Sequence, residues 1–163
     1  MNKIVAKNKK DLIELIKYEL DNNGHLCDLN HIDVSNITDM SNLFLDSYFD
    51  GNISEWNVSN VTNMRAMFKN SYFCGDISKW DVSNVTDMTQ ACWSKKFYSD
   101  ISNWKPYSLE RFIPFCPNES VLPYWLIANK EERKKLIDSY HLNNHLEKTL
   151  ELNQPINQKK PKI

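Results

Sequence analysis

The sequence has little glycine, no closely spaced pair of cysteines and no long apolar run. Three glycines in 163 residues are too few for the glycine-rich loops that hold phosphates, so a nucleotide-binding fingerprint is excluded. The four cysteines form no C-x-x-C pair, so neither a zinc site nor a redox motif is indicated. We therefore expect free thiols, no bound metal and no cofactor.

Membrane segments and an excess of positive charge are missing as well. No stretch has the length and apolarity of a signal peptide or a membrane-spanning helix. We therefore expect a cytoplasmic protein that does not bind a membrane, in the host cell cytoplasm if the chain is viral. Without the three lysines near the C-terminus, 17 basic residues stand against 21 acidic ones, a net charge of −4. This balance argues against binding to nucleic acid.

The chain does contain a gapless repeat of 24 residues. Its three units agree with one another at 13 of 24 positions for the first pair and at 11 for the second pair. A unit of this size cannot bury its own apolar face, so neighbouring units are expected to stack and share a core. The units span residues 33–56, 57–80 and 81–104.

The letters that recur at this period predict which side chains form the scaffold. Val58 and Val82 belong to one apolar row, and each unit ends in a tryptophan that we interpret as part of the core. Asn60 and Asn84 recur beside them, and we interpret this polar row as hydrogen-bonding to the loop backbone, because an orphan buried polar group costs about 1–3 kcal/mol.

In one part of each unit the apolar residues lie two or three positions apart, which favours a short strand. In the part that follows they lie three positions apart, which favours a short helical turn. The predicted fold class is therefore an α/β repeat solenoid of leucine-rich-repeat-like coils, each with a short strand and a short helix. Ser83 or Asn84 would cap such a helical turn. A capping helix and a helical extension complete this predicted fold at the two ends.

Helical segments are predicted at both ends of the repeats. Residues 8–23 have apolar positions on one helical face, with Asn8 as N-cap and Gly24 as the end. After the repeats, one helix is predicted from near Asn129 and a second over about residues 143–152. The resulting division is a capping helix in 1–27, the repeats in 28–116, a C-terminal cap with helical extension in 117–152 and a disordered tail in 153–163.

The repeated motif carries a resemblance to a known family. The string D-V-S-N-V-T-x-M-x-x-M-F, followed by F-x-G-D-I-S-x-W, resembles the BspA-like leucine-rich-repeat proteins over about residues 28–104. That family includes bacterial surface proteins and relatives in viruses and mobile elements. The resemblance implies a solenoid used for adhesion or protein binding, with no enzyme chemistry.

We therefore expect a protein that is not an enzyme and that binds another protein through residues that vary between repeats. One version is a phage- or virus-encoded inhibitor that occupies a host protein surface. The alternatives are a structural component of a virus particle, a bacterial surface adhesin, and an enzyme that uses a Cys/His pair. The oligomeric state stays open. The candidate contact residues are Glu55, Lys79, Asn103, Arg65, Lys69, Lys95 and Lys96.

We expect Val58→Asp or Met64→Asp to unfold the protein, because each variant places a charge in the core that the repeats share. Thermal melting followed by circular dichroism measures the effect. An unchanged melting midpoint would show that the valine and methionine rows do not form the core.

Overall fold

The computed structural model describes residues 3–94, 96–112, 124–126 and 129–152. The predicted disordered tail lies outside these residues, as does most of the predicted C-terminal cap before the last helix. Regular elements are few in the described part of the chain. They are strand β1 (Ile4–Val5), helix α1 (Lys9–Asn23), strand β2 (Ile32–Asp33), a 3₁₀ turn (Tyr124–Leu126) and helix α2 (Lys130–Leu152).

Helix α1 begins and ends where its sequence provides the capping groups. The Asn8 side chain accepts a hydrogen bond from the Asp11 amide at 3.0 Å, which satisfies one of the free amides of the first turn. The Gly24 amide donates to the carbonyl of Leu20, with φ of 77° at the glycine, the left-handed conformation that glycine adopts without strain. The helix buries Leu12 and Ile16.

Strand β1 attaches the N-terminal segment to the edge of the first repeat. It pairs in parallel with β2, with Ile4 opposite Ile32. The Ala6 amide then donates to the carbonyl of Asp33 at 2.9 Å, and Ala6 is fully buried. The segment before α1 is therefore hydrogen-bonded to the body over several residues.

The predicted fold class is wrong. Between residues 34 and 112 the described chain forms neither an α-helix nor a strand, but a succession of turns joined by isolated bridges. Within the described residues the regular elements are two α-helices and a 3₁₀ turn outside the repeats and one two-stranded parallel sheet. They do not make an α/β solenoid of strand-plus-helix coils, and the helical turn expected after Ser83 or Asn84 is absent from the described residues.

The turns have a chemical cause in the aspartate and asparagine side chains. At three positions of each unit the side-chain oxygen accepts a hydrogen bond from the amide two residues further on, which is an Asx turn. In the second unit these residues are Asn57, Asn63 and Asp76, with distances of 3.2, 3.0 and 2.9 Å. This local bond bends the chain at each site, so helical hydrogen bonds do not propagate.

Equivalent positions of successive units are hydrogen-bonded to each other. Isolated parallel bridges join Asp39 to Asn63, Asn63 to Asp87, and Asp87 to Arg111, each 24 residues apart. The Asn60 and Asn84 side-chain amides donate to the carbonyls of Ser35 and Ser59 in the preceding unit, at 2.8 and 2.7 Å. The predicted backbone-bonding role of the asparagine row is confirmed.

Beside these bridges, each unit has a segment whose alternate amides point toward the next unit. Alternate amides of the first unit donate to carbonyls of the second, and alternate amides of the second donate to the third, over distances of 2.7 to 3.0 Å. Left-handed residues with φ between 52° and 58° recur along these segments, and the intervening amides donate locally, to the carbonyl three residues earlier. In the second unit the donors are Met64, Ala66, Phe68 and Asn70.

The unit-ending tryptophans form a buried ladder. Trp56, Trp80 and Trp104 are at most 4% exposed, and each indole nitrogen donates to a carbonyl of the preceding unit at 2.9 to 3.2 Å. Trp125 continues the ladder, since it is fully buried and donates to the Ile101 carbonyl at 3.4 Å. It follows Trp104 by 21 residues rather than 24, so periodicity alone does not identify it.

Helix α2 is continuous where two helices were predicted. It runs through residues 143–144, the expected break, and starts after Asn129, whose side chain accepts from the Glu132 amide at 3.0 Å. Its Arg133 is buried and donates to the carbonyls of Leu109 and Trp125, at 2.5 and 3.1 Å. No helix in the described ranges is long and apolar enough to cross a membrane.

We expect Arg133→Met to lower the free energy of unfolding by about 1–3 kcal/mol, because two buried carbonyls lose their donor. Lys134→Met, at the exposed neighbouring position, is the matched control and should change stability by less than about 0.5 kcal/mol. Urea denaturation followed by tryptophan fluorescence measures both. Equal effects of the two variants would contradict the role assigned to Arg133.

Candidate functional site

One face of the repeats is built from short extended segments with alternating burial. Phe49 and Gly51 are buried, whereas the side chains on either side of them lie at the surface. A Cβ at Gly51 would lie 2.0 Å from the carbonyl oxygen of Cys27, so glycine is what lets these segments approach each other closely. The outward side chains form a surface that we call the tyrosine face: His25, Leu26, Asp28, Tyr48, Asp50, Asn52, Tyr72, Cys74, Asp76, Lys96, Tyr98 and Asp100.

A column of rings runs across the tyrosine face. Tyr48 stacks on Tyr72 with ring centroids 5.1 Å apart and an interplanar angle of 17°. His25 lies on the other side of Tyr48, with ring centroids 6.0 Å apart. At the far end the Lys96 ammonium lies 5.8 Å from the centroid of the Tyr72 ring, within the range of a cation–π contact.

Three large side chains of the tyrosine face are mostly exposed to solvent. Leu26 is 77% exposed, Tyr48 64% and Tyr98 70%. Tyr98 makes no ring or cation contact within the described residues. A group of large exposed apolar side chains on one face marks a candidate binding surface, whereas isolated ones do not.

In a second column of the tyrosine face, beside the column of rings, a thiol is hydrogen-bonded to a carboxylate. The Cys74 amide donates to Asp50 Oδ1 at 2.7 Å, and its thiol donates to Oδ2 at 3.3 Å. This hydrogen bond to Asp50, together with burial, raises the pKa of the Cys74 thiol. The thiol is therefore held in its protonated, weakly nucleophilic form, which disfavours reactive-cysteine chemistry here.

The third column is acidic. Asp28, Asp76 and Asp100 recur at one position of successive units, with Asn52 between the first two. The Ser78 amide lowers the pKa of Asp76, and the Ser102 hydroxyl and amide lower that of Asp100. The face carries four aspartates and one lysine, a net charge of −3 with His25 neutral.

The contact residues predicted from sequence lie on different segments of the repeats. Lys96 belongs to the tyrosine face. The row predicted beside the tryptophans is exposed and lies three residues beyond the acidic column in each unit. That row consists of Glu55, Lys79 and Asn103.

The two other basic residues lie on the segments whose amides are aligned. Arg65 is exposed, and Lys69 is half-buried with its ammonium 5.4 Å from the centroid of the Trp93 ring. Lys95 lies outside the described residues. The described part of the chain contains no group of three or more His, Cys, Asp or Glu side chains that could hold a metal ion.

Sequence reasoning missed the aromatic part of the face. Tyr48 and Tyr72 recur at the repeat period, and recurring letters were assigned to the scaffold. The signal that could have found them is the alternation around Gly51, where a period of two places Tyr48, Asp50 and Asn52 on one side of an extended segment.

Comparison with known proteins gives a family but no individual relative. The family described as "Mycoplasma protein of unknown function, DUF285" matches residues 15–115, well over half of the chain. That match includes all three repeats and most of helix α1. No curated protein and no solved structure matches the chain.

The acidic column predicts that stability falls in acid. Because the pKa values of Asp76 and Asp100 lie below their ordinary value in the folded protein, both carboxylates stabilise the fold at neutral pH. This contribution is lost as the pH falls below about 4. Urea midpoints at about pH 6 and about pH 3 measure the loss. The control is the variant Asp76→Asn/Asp100→Asn, whose side chains keep the accepting oxygen but do not titrate. Its urea midpoint should fall less between the two pH values. An equal fall would contradict the stabilising role assigned to the two carboxylates.

Proposed function

We propose that this chain, which belongs to the DUF285 family of Mycoplasma proteins, binds another protein through its tyrosine face. The observation that carries the proposal is the group of large, exposed side chains on that face, with Leu26, Tyr48 and Tyr98 each more than 60% exposed. Water in contact with such surface is displaced favourably when a partner covers it.

Tyrosine suits an anchoring role in a protein interface. Its ring offers a large apolar area, its hydroxyl keeps a polar group at the rim, and it loses little conformational freedom on binding. Stacking of Tyr48 on Tyr72 and its tilted contact with His25 restrain the ring before a partner arrives. A restrained anchor lowers the entropy cost of association.

The chemistry of the face also favours binding over catalysis. Its cysteine is kept protonated by Asp50, and its acidic column is engaged in Asx turns that shape the backbone. The resemblance of the repeated motif to BspA-like proteins supports the same function, because that family is associated with adhesion and protein binding.

Affinity capture from a native lysate of the source cells tests the proposal. The bait is the full chain, compared with Tyr48→Ala/Tyr72→Ala and with Tyr18→Ala, whose tyrosine is equally exposed at 64% but lies on helix α1. We expect one stoichiometric protein partner for the unchanged chain and for Tyr18→Ala. The amount of this partner captured by the double variant should be at least about tenfold lower.

Circular dichroism melting of each bait establishes that it is folded before capture. If the double variant melts early, Tyr48→Leu provides a substitution that keeps apolar bulk and removes the aromatic ring. Capture of the same partner in equal amount by all baits would overturn the proposal, as would turnover of a substrate abolished by one Cys or His substitution in a folded protein.

A further inference from the structure

We propose that the tyrosine face binds an arginine-rich segment of its partner protein. This inference rests on the protein-binding function and assigns the chemistry of the occupant. It is carried by two features of the same surface. Exposed tyrosine rings stand in two of its columns, and an acidic column of Asp28, Asp76 and Asp100 runs beside them.

The charge of the face selects a cationic occupant. Four aspartates against one lysine give −3, on a surface that spans four successive extended segments. The segments that carry Asp76 and Asp100 lie against each other, because the Ser99 hydroxyl donates to the Gly75 carbonyl at 2.5 Å, so the two carboxylates stand at adjacent positions of the acidic column. A cation placed between them relieves their mutual repulsion, whereas a phosphate-bearing partner would increase it.

The rings favour a cation that can stack. Lys96 already lies over Tyr72, with its ammonium 5.8 Å from the ring centroid, so a cation–π contact is compatible with the geometry of the face. Tyr98 is 70% exposed and makes no such contact within the described residues. Its ring is therefore available to an incoming cation.

Arginine fits both features better than lysine does. Its planar guanidinium stacks on an aromatic ring and can donate two parallel hydrogen bonds to one carboxylate, and an ammonium cannot do both. Side chains two residues apart in an extended segment are separated by about 7 Å, and Tyr98 and Asp100 are related in this way. One arginine side chain can span that distance.

A defined peptide tests the inference without knowledge of the natural partner. The probe is a short fluorescein-labelled peptide that alternates arginine with serine, compared with the same peptide carrying glutamine or lysine in place of arginine. Fluorescence anisotropy measures binding to the full chain. We expect the arginine peptide to bind most tightly, the lysine peptide to bind more weakly and the glutamine peptide not to bind, with affinity falling as salt increases.

Substitutions on the tyrosine face are expected to change the affinity for the arginine peptide in opposite directions. Tyr48→Ala/Tyr98→Ala should weaken binding of the arginine peptide about tenfold, and Tyr18→Ala should leave it unchanged. Asp76→Asn/Asp100→Asn should weaken binding and flatten its salt dependence; Asn52 occupies the same column in the chain as it stands, so the turns are kept. Lys96→Gln should strengthen binding, because it removes the competing cation from Tyr72.

Each outcome bears on the inference. Tighter binding after Lys96→Gln is not expected if the face has only a structural role, and it supports the proposal even where an alanine variant fails to fold. Equal binding of arginine and glutamine peptides, or weaker binding after Lys96→Gln, overturns it. If the peptides fail while capture from lysate still depends on Tyr48 and Tyr72, the cationic occupant is wrong and the protein-binding function stands. If capture fails as well, both are wrong.

Discussion

Hydrogen bonds between neighbouring units are the constraint on which the rest of the structure depends. Backbone bridges at Asp39, Asn63 and Asp87, the asparagine amides and the tryptophan indoles all find their acceptors or donors in the neighbouring unit. Because buried polar groups must be paired, a unit that gained or lost one residue would leave several of them without partners. The exact period of the repeat follows from this requirement.

The sequence was sufficient to predict the buried apolar rows and the backbone-bonding role of the asparagines, because each of these is set by contacts that recur. It was not sufficient for the local conformation. Apolar residues three apart in Val61 and Met64 are compatible with a helical turn, but Asn63 binds the Arg65 amide and bends the chain instead. The burial of Trp125 was expected, but its place in the tryptophan ladder was not, because Trp125 breaks the period. Tyr48 and Tyr72 were missed because they keep the period without being fully buried.

In this protein, a residue that recurs at the repeat period is therefore not necessarily buried. The stacking that buries Phe49 against Phe73, with ring centroids 6.0 Å apart, also places their neighbours Tyr48 and Tyr72 side by side at the surface. In a scaffold of this kind the residues next to the recurring core residues are also placed side by side. A tyrosine that recurs at this period therefore contributes to a continuous surface. The tyrosine face is in this sense a by-product of the packing, and its charge is set by the residues that differ between units.

The alignment of amides in the segments after Asn63 has an electrical consequence. Each aligned peptide group is a dipole of about 3.5 D, and here the groups add along the direction in which the units succeed one another, with N–H toward the C-terminal side. Within these segments the N-terminal side is thus the negative end of the dipoles and the C-terminal side is the positive end. The Lys9 ammonium, 2.6 Å from Ser41 Oγ and 3.0 Å from Asp39, lies beside the first of these segments, on the side where the field of its aligned dipoles favours a cation.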